Sequence, residues 1–259
     1  MPPEDRSDHR PRRALITGAG GGIGAALAAR LAADGWALAL LGRRRGPVGQ
    51  VAARCATETH VLEADVRDED AVDRAVARLE AAWDALDAVV NNAGIAGFAG
   101  IGQAGAQSVR EVLECNLLGA HLVARRCLGL LRRGREPVIV NVASTLAHVG
   151  LPGASAYCAS KAGLLGWTRA AAVELAADGI RVVAVSPGPV RTPMLEGERG
   201  GESASADRLA RLAARHPLGR VAEPADVADV IAFALSRGAR FVTGTEITVD
   251  GGLTAGSPE

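Results

Sequence analysis

Short apolar runs alternate with longer stretches in which apolar positions recur every three or four residues, from near the start of the chain to its end. The runs read as strands at residues 14–17, 37–41, 59–63, 85–90, 137–142, 180–185 and 246–249. The helical spacing falls at 23–33, 48–55, 69–83, 106–133, 155–177, 207–214 and 224–235. Between about 187 and 205 the chain is rich in Pro, Gly and Glu and has no clear period. Repeated strand–helix–strand units imply a parallel sheet with helices on both faces. Right-handed crossovers turn it into a single-domain, Rossmann-type doubly wound α/β fold of about seven strands. We expect flexible tails at 1–12 and 254–259, one domain over 13–253, and a substrate lid over about 189–216.

Composition narrows the function classes. The chain has 259 residues, 48% of them apolar, so it can bury a large core, and only 3% are aromatic. So few aromatics argue against a stacking platform for single-stranded nucleic acid. The 29 basic and 29 acidic side chains cancel, and the clusters Arg43–Arg45 and Arg132, Arg133, Arg135 are too short to form a nucleic-acid stripe. No stretch is long and apolar enough for a membrane span. The charged, proline-containing N-terminus lacks the apolar core of a secretory signal, and a cytoplasmic location is expected. Cys55, Cys115, Cys127 and Cys158 have no metal-ligand spacing, fall in segments read as helical, and are expected to be reduced.

The candidate chemistry lies where ligands bind doubly wound sheets, beyond the carboxyl ends of strands. The run Thr17-Gly18-Ala19-Gly20-Gly21-Gly22-Ile23-Gly24 joins the first strand to its helix. Without Cβ atoms such a turn lets the backbone approach a pyrophosphate, and the helix N-terminus offers free N–H groups. Tyr157 is the only tyrosine. Lys161, four residues on in a helical segment, shares its face. An ammonium close by is expected to lower the phenol pKa from about 10 toward the range useful for acid–base catalysis.

The glycine spacing, Asn91-Asn92-Ala93-Gly94, Asn116, Ser144, Tyr157-x-x-x-Lys161 and Pro187-Gly188 together resemble the short-chain dehydrogenase/reductase family, from Ala14 to Gly252. The resemblance implies hydride exchange between a nicotinamide and a carbonyl or alcohol, with Tyr157 passing the proton and Ser144 holding the substrate oxygen. By the same resemblance Lys161 is expected to bind the nicotinamide ribose, and Asn116 resembles a helix-kinking residue that holds a relay water. It implies a cofactor site made of Gly18, Gly20, Gly22, Ile23, Gly24, Arg43, Asp65, Val66, Asn92, Ala93, Gly94, Tyr157, Lys161, Pro187, Gly188, Val190 and Thr192. Asn91 is expected against the ribose. Asp65 is expected either at the adenine or as a cap of the next helix. NAD-preferring relatives carry Asp where this chain has Gly42, followed by Arg43, Arg44 and Arg45. NADP(H) is therefore expected over NAD(H), although the basic residue many NADP relatives place in the glycine turn is replaced by Gly21.

Ile95, Phe98, Leu146, Val149, Leu151, Met194 and Leu195 are expected to give the pocket an apolar lining, with His148 as its polar exception. A small-molecule ketone or alcohol fits such a lining, a 3-oxoacyl or polyketide-like one among them. The alternatives are an NAD-dependent secondary alcohol or polyol/cyclitol dehydrogenase and a dinucleotide sensor without turnover. Arg132–Arg135 reads either as a dock for an acidic carrier protein or as a solvated helix end. The low charge of the helix holding Tyr157 implies a homo-oligomer, tetramer or dimer.

Overall fold

In a computed structural model that describes residues 10–196 and 206–256, seven parallel strands lie in the order β3-β2-β1-β4-β5-β6-β7. They are β1 Arg13–Thr17, β2 Ala37–Gly42, β3 Thr59–Glu63, β4 Ala88–Asn91, β5 Val138–Val142, β6 Arg181–Pro187 and β7 Glu246–Val249. The helices are α1 Gly22–Ala33, α2 Arg45–Ala52, α3 Glu69–Glu80, α4 Ala106–Leu113, α5 Gly119–Leu131, α6 Ser155–Glu174, α7 Pro193–Glu196, α8 Ala206–Ala214 and α9 Pro224–Leu235. The strand order reverses between β1 and β4, which opens a crevice at their carboxyl ends.

Alternate residues of each strand feed two separate cores, because side chains on a strand point to opposite faces. Leu15, Ala39, Leu41, Val89, Ile139 and Val182 face α3, α5 and α6, where Val76, Leu79, Val123, Leu130 and Ala172 meet them. Ala14, Ile16, Leu38, Leu40, Val140 and Val183 face α1 and α9 through Leu27, Leu31, Val227 and Ile231. Both faces are covered, so the strands read as unbroken apolar runs.

Several boundaries differ from the sequence expectation. The long helix over 106–133 is interrupted by a π-helical turn, Glu114–Leu118. Helix α2 ends at Ala52, so Cys55 lies beyond it rather than in a helix; all four thiols are free. Residues 10–12, within the expected flexible tail, are instead held to the domain. Arg10 pairs with Asp87 at 2.7 Å, and Arg12 donates to the Leu235 carbonyl with its guanidinium 4.2 Å above the Trp36 ring. Thr254, placed in the other tail, donates from both its N–H and its hydroxyl to Asp250. Of the expected lid, α7 and α8 are described, while Gly197, Gly200 and Gly201 lie outside the described residues. No helix among the described residues is long and apolar enough to cross a membrane.

Candidate active site

The glycine turn leaves β1 with Gly18 at φ +65° and Gly22 at φ +54°, a region side chains rarely adopt. At Gly24 the restriction is space: a Cβ there would stand 2.5 Å from the Gly18 carbonyl oxygen and 2.7 Å from Asn92 Nδ2. Gly20 packs on Pro47 of α2, and Ile23 is half-buried at the start of α1. Gly21 has no atom within 4 Å of its would-be Cβ and an extended backbone. Thr192 closes over the turn from the other side, its methyl 3.1 Å from where a Gly22 Cβ would stand. Its own chain is fixed there by Thr192 Oγ1 donating to Val190 O and by a bridge pairing Val190 with Ala222.

Thr17, which the sequence reading passed over, ties this turn to the Asn-Asn-Ala-Gly segment. Its buried hydroxyl donates to Val90 O and accepts from the N–H groups of Asn92 and Ala93, both at 3.0 Å. Asn92 Nδ2 returns to Thr17 O and Gly18 O. Asn91, expected against the ribose, instead turns into the interior, donating to Asn141 Oδ1 at 2.9 Å and to Ala120 O. Its place within β4 points it across the sheet. The side chain of Val66 is also in the core, against Gly119, which leaves only its main chain toward the crevice.

Asn116 sits in the π turn, a kind of defect that often re-aims side chains at functional sites. Its amide locks onto Ile95, accepting from Ile95 N at 2.8 Å and donating to Ile95 O at 2.9 Å. It also donates to Ser160 Oγ, whose hydroxyl donates to the Tyr157 carbonyl at 2.7 Å. The segment after β4 and the helix of Tyr157 are thus joined through one buried amide. Gly94 lies against this group: a Cβ there would stand 3.2 Å from Asn116 Oδ1 and 3.6 Å from Lys161 Nζ.

Ser144 caps the turn after β5, its hydroxyl accepting from Leu146 N, and stands beside the Tyr157 phenol. Burial pushes the phenol above its usual pKa, and the neighbouring Ser144 hydroxyl opposes that. Burial also pulls the Lys161 ammonium down to about 8. Lys161 Nζ donates to Val142 O at 2.7 Å and lies 5.6 Å from the centre of the Tyr157 ring. The expected lowering of the phenol by Lys161 is therefore not the balance found in this geometry: desolvation dominates.

At the other end of the crevice, Asp65 carries strong bonds from Arg67, the shortest 2.7 Å, and a looser ion pair with Arg43 at 3.8 Å. Burial raises the Asp65 carboxyl, but the hydrogen bonds and charge of Arg67, with the charge of Arg43, leave it below its usual range. The capping alternative for Asp65 is not what forms, since Asp68 caps α3 by accepting from Ala71 N. Arg67 was missed in sequence; its position two residues after Asp65 was the available signal. Gly42 cannot take a Cβ without pushing Val48, which would lie 2.8 Å away.

Pro187 is buried at the end of β6 and Gly188 follows against Asp250. Phe98, Val149, Leu151 and Met194, expected in the pocket lining, are exposed. The Phe98 ring is tilted 53° to that of Tyr157, with centroids 6.1 Å apart. His148 turns away to Glu246 on β7, at 2.6 Å.

Gly18, Gly22 and Gly24 bring the backbone close at the start of α1, Gly21 faces open space, and Gly94 has no Cβ to crowd Lys161; such a glycine-lined strand-to-helix turn fits a dinucleotide. Comparison with known proteins agrees with this shape. A family model described as Enoyl-(Acyl carrier protein) reductase matches residues 18–254. A cis-4-hydroxycyclohexanecarboxylate dehydrogenase of Sinomonas cyclohexanicum is 41% identical over 94% of this chain and 97% of its own length. The solved structure of levodione reductase superposes with a TM-score of 0.88 at 32% identity, covering 95% of this chain and 98% of that one. A 3-ketoacyl-(acyl-carrier-protein) reductase from Brucella melitensis, complexed with NADH, gives a TM-score of 0.85 at 32% identity, covering 94% and 98%.

Proposed function

The chain belongs to the short-chain dehydrogenase/reductase family, and on that footing we propose that it is an NADP(H)-dependent oxidoreductase interconverting a neutral, ring-bearing ketone and its secondary alcohol. One observation carries the chemistry. Ser144, Tyr157, Lys161 and Asn116 converge from β5, α6 and the π turn onto the crevice beside Gly94.

When bound, the nicotinamide supplies the hydride. The residues of the chain supply position and proton. Ser144 holds the substrate oxygen beside the phenol of Tyr157. Burial keeps that phenol protonated at neutral pH, the form needed to give a proton to a carbonyl oxygen in reduction. Lys161 faces the ribose side of the crevice, and its charge stabilises the phenolate left behind. Asn116 fixes the Ile95 segment and, through Ser160, the backbone of Tyr157. Gly18, Gly20, Gly22, Ile23 and Gly24 cradle the pyrophosphate, Ala93 and Gly94 leave it room, and Val190 and Thr192 reach the carboxamide.

The NADP(H) preference rests on Arg43, Arg44 and Arg45 beside a glycine where a carboxylate would repel the 2′-phosphate. The ring-bearing substrate rests on the exposed apolar side chains Phe98, Val149, Leu151 and Met194, and on likeness to a dehydrogenase of a hydroxycyclohexane. A 3-oxoacyl thioester is a second reading, favoured by the likeness to a 3-ketoacyl reductase. The protein assembles as a homotetramer or dimer, as supported by exposed Val173 on α6 and by exposed Phe233 and Phe241 at and beyond α9.

Turnover of cyclic ketones, 3-ketoacyl thioesters and sugar-derived ketones with NADPH and NADH tests the reading. Tyr157→Phe should lose at least about a thousandfold in kcat with cofactor affinity within about threefold. Tight cofactor binding without turnover on any substrate would favour a sensor instead.

A further inference from the structure

Three charged side chains meet at the carboxyl ends of β2 and β3. Arg67 takes nearly all that Asp65 offers: its Nε lies 3.1 and 3.2 Å from the two carboxylate oxygens, its Nη2 2.7 Å from Oδ2, and its backbone N–H 3.1 Å from Oδ1. Arg43 stands 3.8 Å from Oδ2, too far for a hydrogen bond, and its side chain is 44% exposed. One carboxylate therefore serves two guanidinium groups, unequally. The nearer saturates it, and the farther keeps most of its charge for the solvent side of the crevice. Glu111 also lies within the field of Arg67, adding no partner for Arg43.

We infer that Arg67 is a positioning residue that occupies Asp65 and so leaves Arg43 available to the 2′-phosphate of NADP(H). This rests on the NADP(H) reading above. Without Arg67, the half-buried carboxylate would draw Arg43 into a close pair, removing a cation from where the phosphate belongs. NAD(H) has no phosphate there and would scarcely register the change. Any loss at the adenine or the fold falls on both nucleotides alike, so the ratio of their affinities isolates the effect.

The test is fluorescence titration of the unliganded protein with NADPH and with NADH, reading dissociation constants rather than turnover. Arg67→Gln should weaken NADPH about tenfold or more and NADH less than about threefold. Adding Asp65→Asn to Arg67→Gln should restore the NADPH-to-NADH affinity ratio to within about threefold of wild type, since no carboxylate remains to capture Arg43. In an Arg43→Gln, Asp65→Asn background, where neither the cation nor the carboxylate that would capture it remains, Arg67→Gln should leave the ratio unchanged. Equal weakening of both nucleotides by Arg67→Gln, or no recovery in the double variant, overturns the inference. The wild-type ratio stands apart from these outcomes: a value near one overturns the NADP(H) reading itself.

Discussion

Lys161 Nζ lies 5.6 Å from the centre of the Tyr157 ring while its hydrogen bond goes to the Val142 carbonyl. The ammonium is thus held near the phenol without being spent on it, and it is kept in a buried place that disfavours its charge.

That burial predicts a trade between stability and activity. The Lys161 pKa of about 8 lies below the ~10.4 of an unfolded lysine. Below pH 8 the folded state therefore bears a desolvation cost, and wild-type stability rises as pH climbs from about 8 to 10.5. Lys161→Met removes the charge and loses the bond to Val142. It should gain about 1–3 kcal/mol in urea unfolding at pH 7, with the gain shrinking over that pH window. Turnover should fall at least about a hundredfold. A variant no more stable than wild type at pH 7 would show that the burial is relieved some other way.

The glycine turn offers a matched pair. Gly24→Ala would drive a methyl into the Gly18 carbonyl and the Asn92 amide, so NADPH affinity should drop about tenfold or more. Gly21→Ala meets nothing within 4 Å and has an extended backbone, so affinity should stay within about threefold. Gly21→Arg puts a cation into that open space and should tighten NADPH relative to NADH. Titration of the three variants checks the set; equal damage at both glycines would mean that backbone freedom, rather than space, governs the turn.

The fold was legible because its evidence is periodic: each strand's apolar run and each helix's apolar face repeats along the chain. Ser144, Tyr157, Lys161 and the glycine turn were legible as spaced motifs. What escaped was non-periodic or long-range. The π turn at Glu114–Leu118 escaped because it is a single turn, too short a segment for apolar spacing to separate from the α-helices on either side of it. Adjacent asparagines look interchangeable in sequence, yet Asn91 ends a strand pointing inward and Asn92 begins a loop. The Tyr157 proton balance depends on desolvation, which the four-residue spacing to Lys161 does not report.

Phe98 should tune the substrate and leave the chemistry alone. It stands on the segment after Gly97, where φ is +59°, and Ala99 N donating to Gly153 O ties that segment to the loop before α6. Its ring, tilted over Tyr157, offers a face to a cyclic carbon skeleton. Phe98→Ala should raise KM for cyclic ketones about tenfold, leaving kcat and small acyclic ketones within about threefold. A uniform loss across substrates would instead make Phe98 a support for Tyr157.

The pole of the sheet opposite the crevice holds a buried carboxylate. Asp87 is fully buried just before β4 and accepts from Arg10 through both carboxylate oxygens, and from the backbone N–H groups of Arg13 and Arg135. Burial alone would raise its pKa, but these bonds win and hold it below the usual carboxylate range. Its stabilising contribution is therefore complete above about pH 4 and is lost as pH falls below that. Asp87→Asn keeps the shape but removes the charge facing Arg10, and should cost about 3 kcal/mol at pH 7 in urea unfolding. The difference from wild type should narrow on acidification. Specific activity of the folded variant should be unchanged, because Asp87 lies at the amino ends of the strands and the crevice at their carboxyl ends. A variant as stable as wild type at pH 7, with the gap constant down to pH 3, would show that Arg10 gains nothing from the pair.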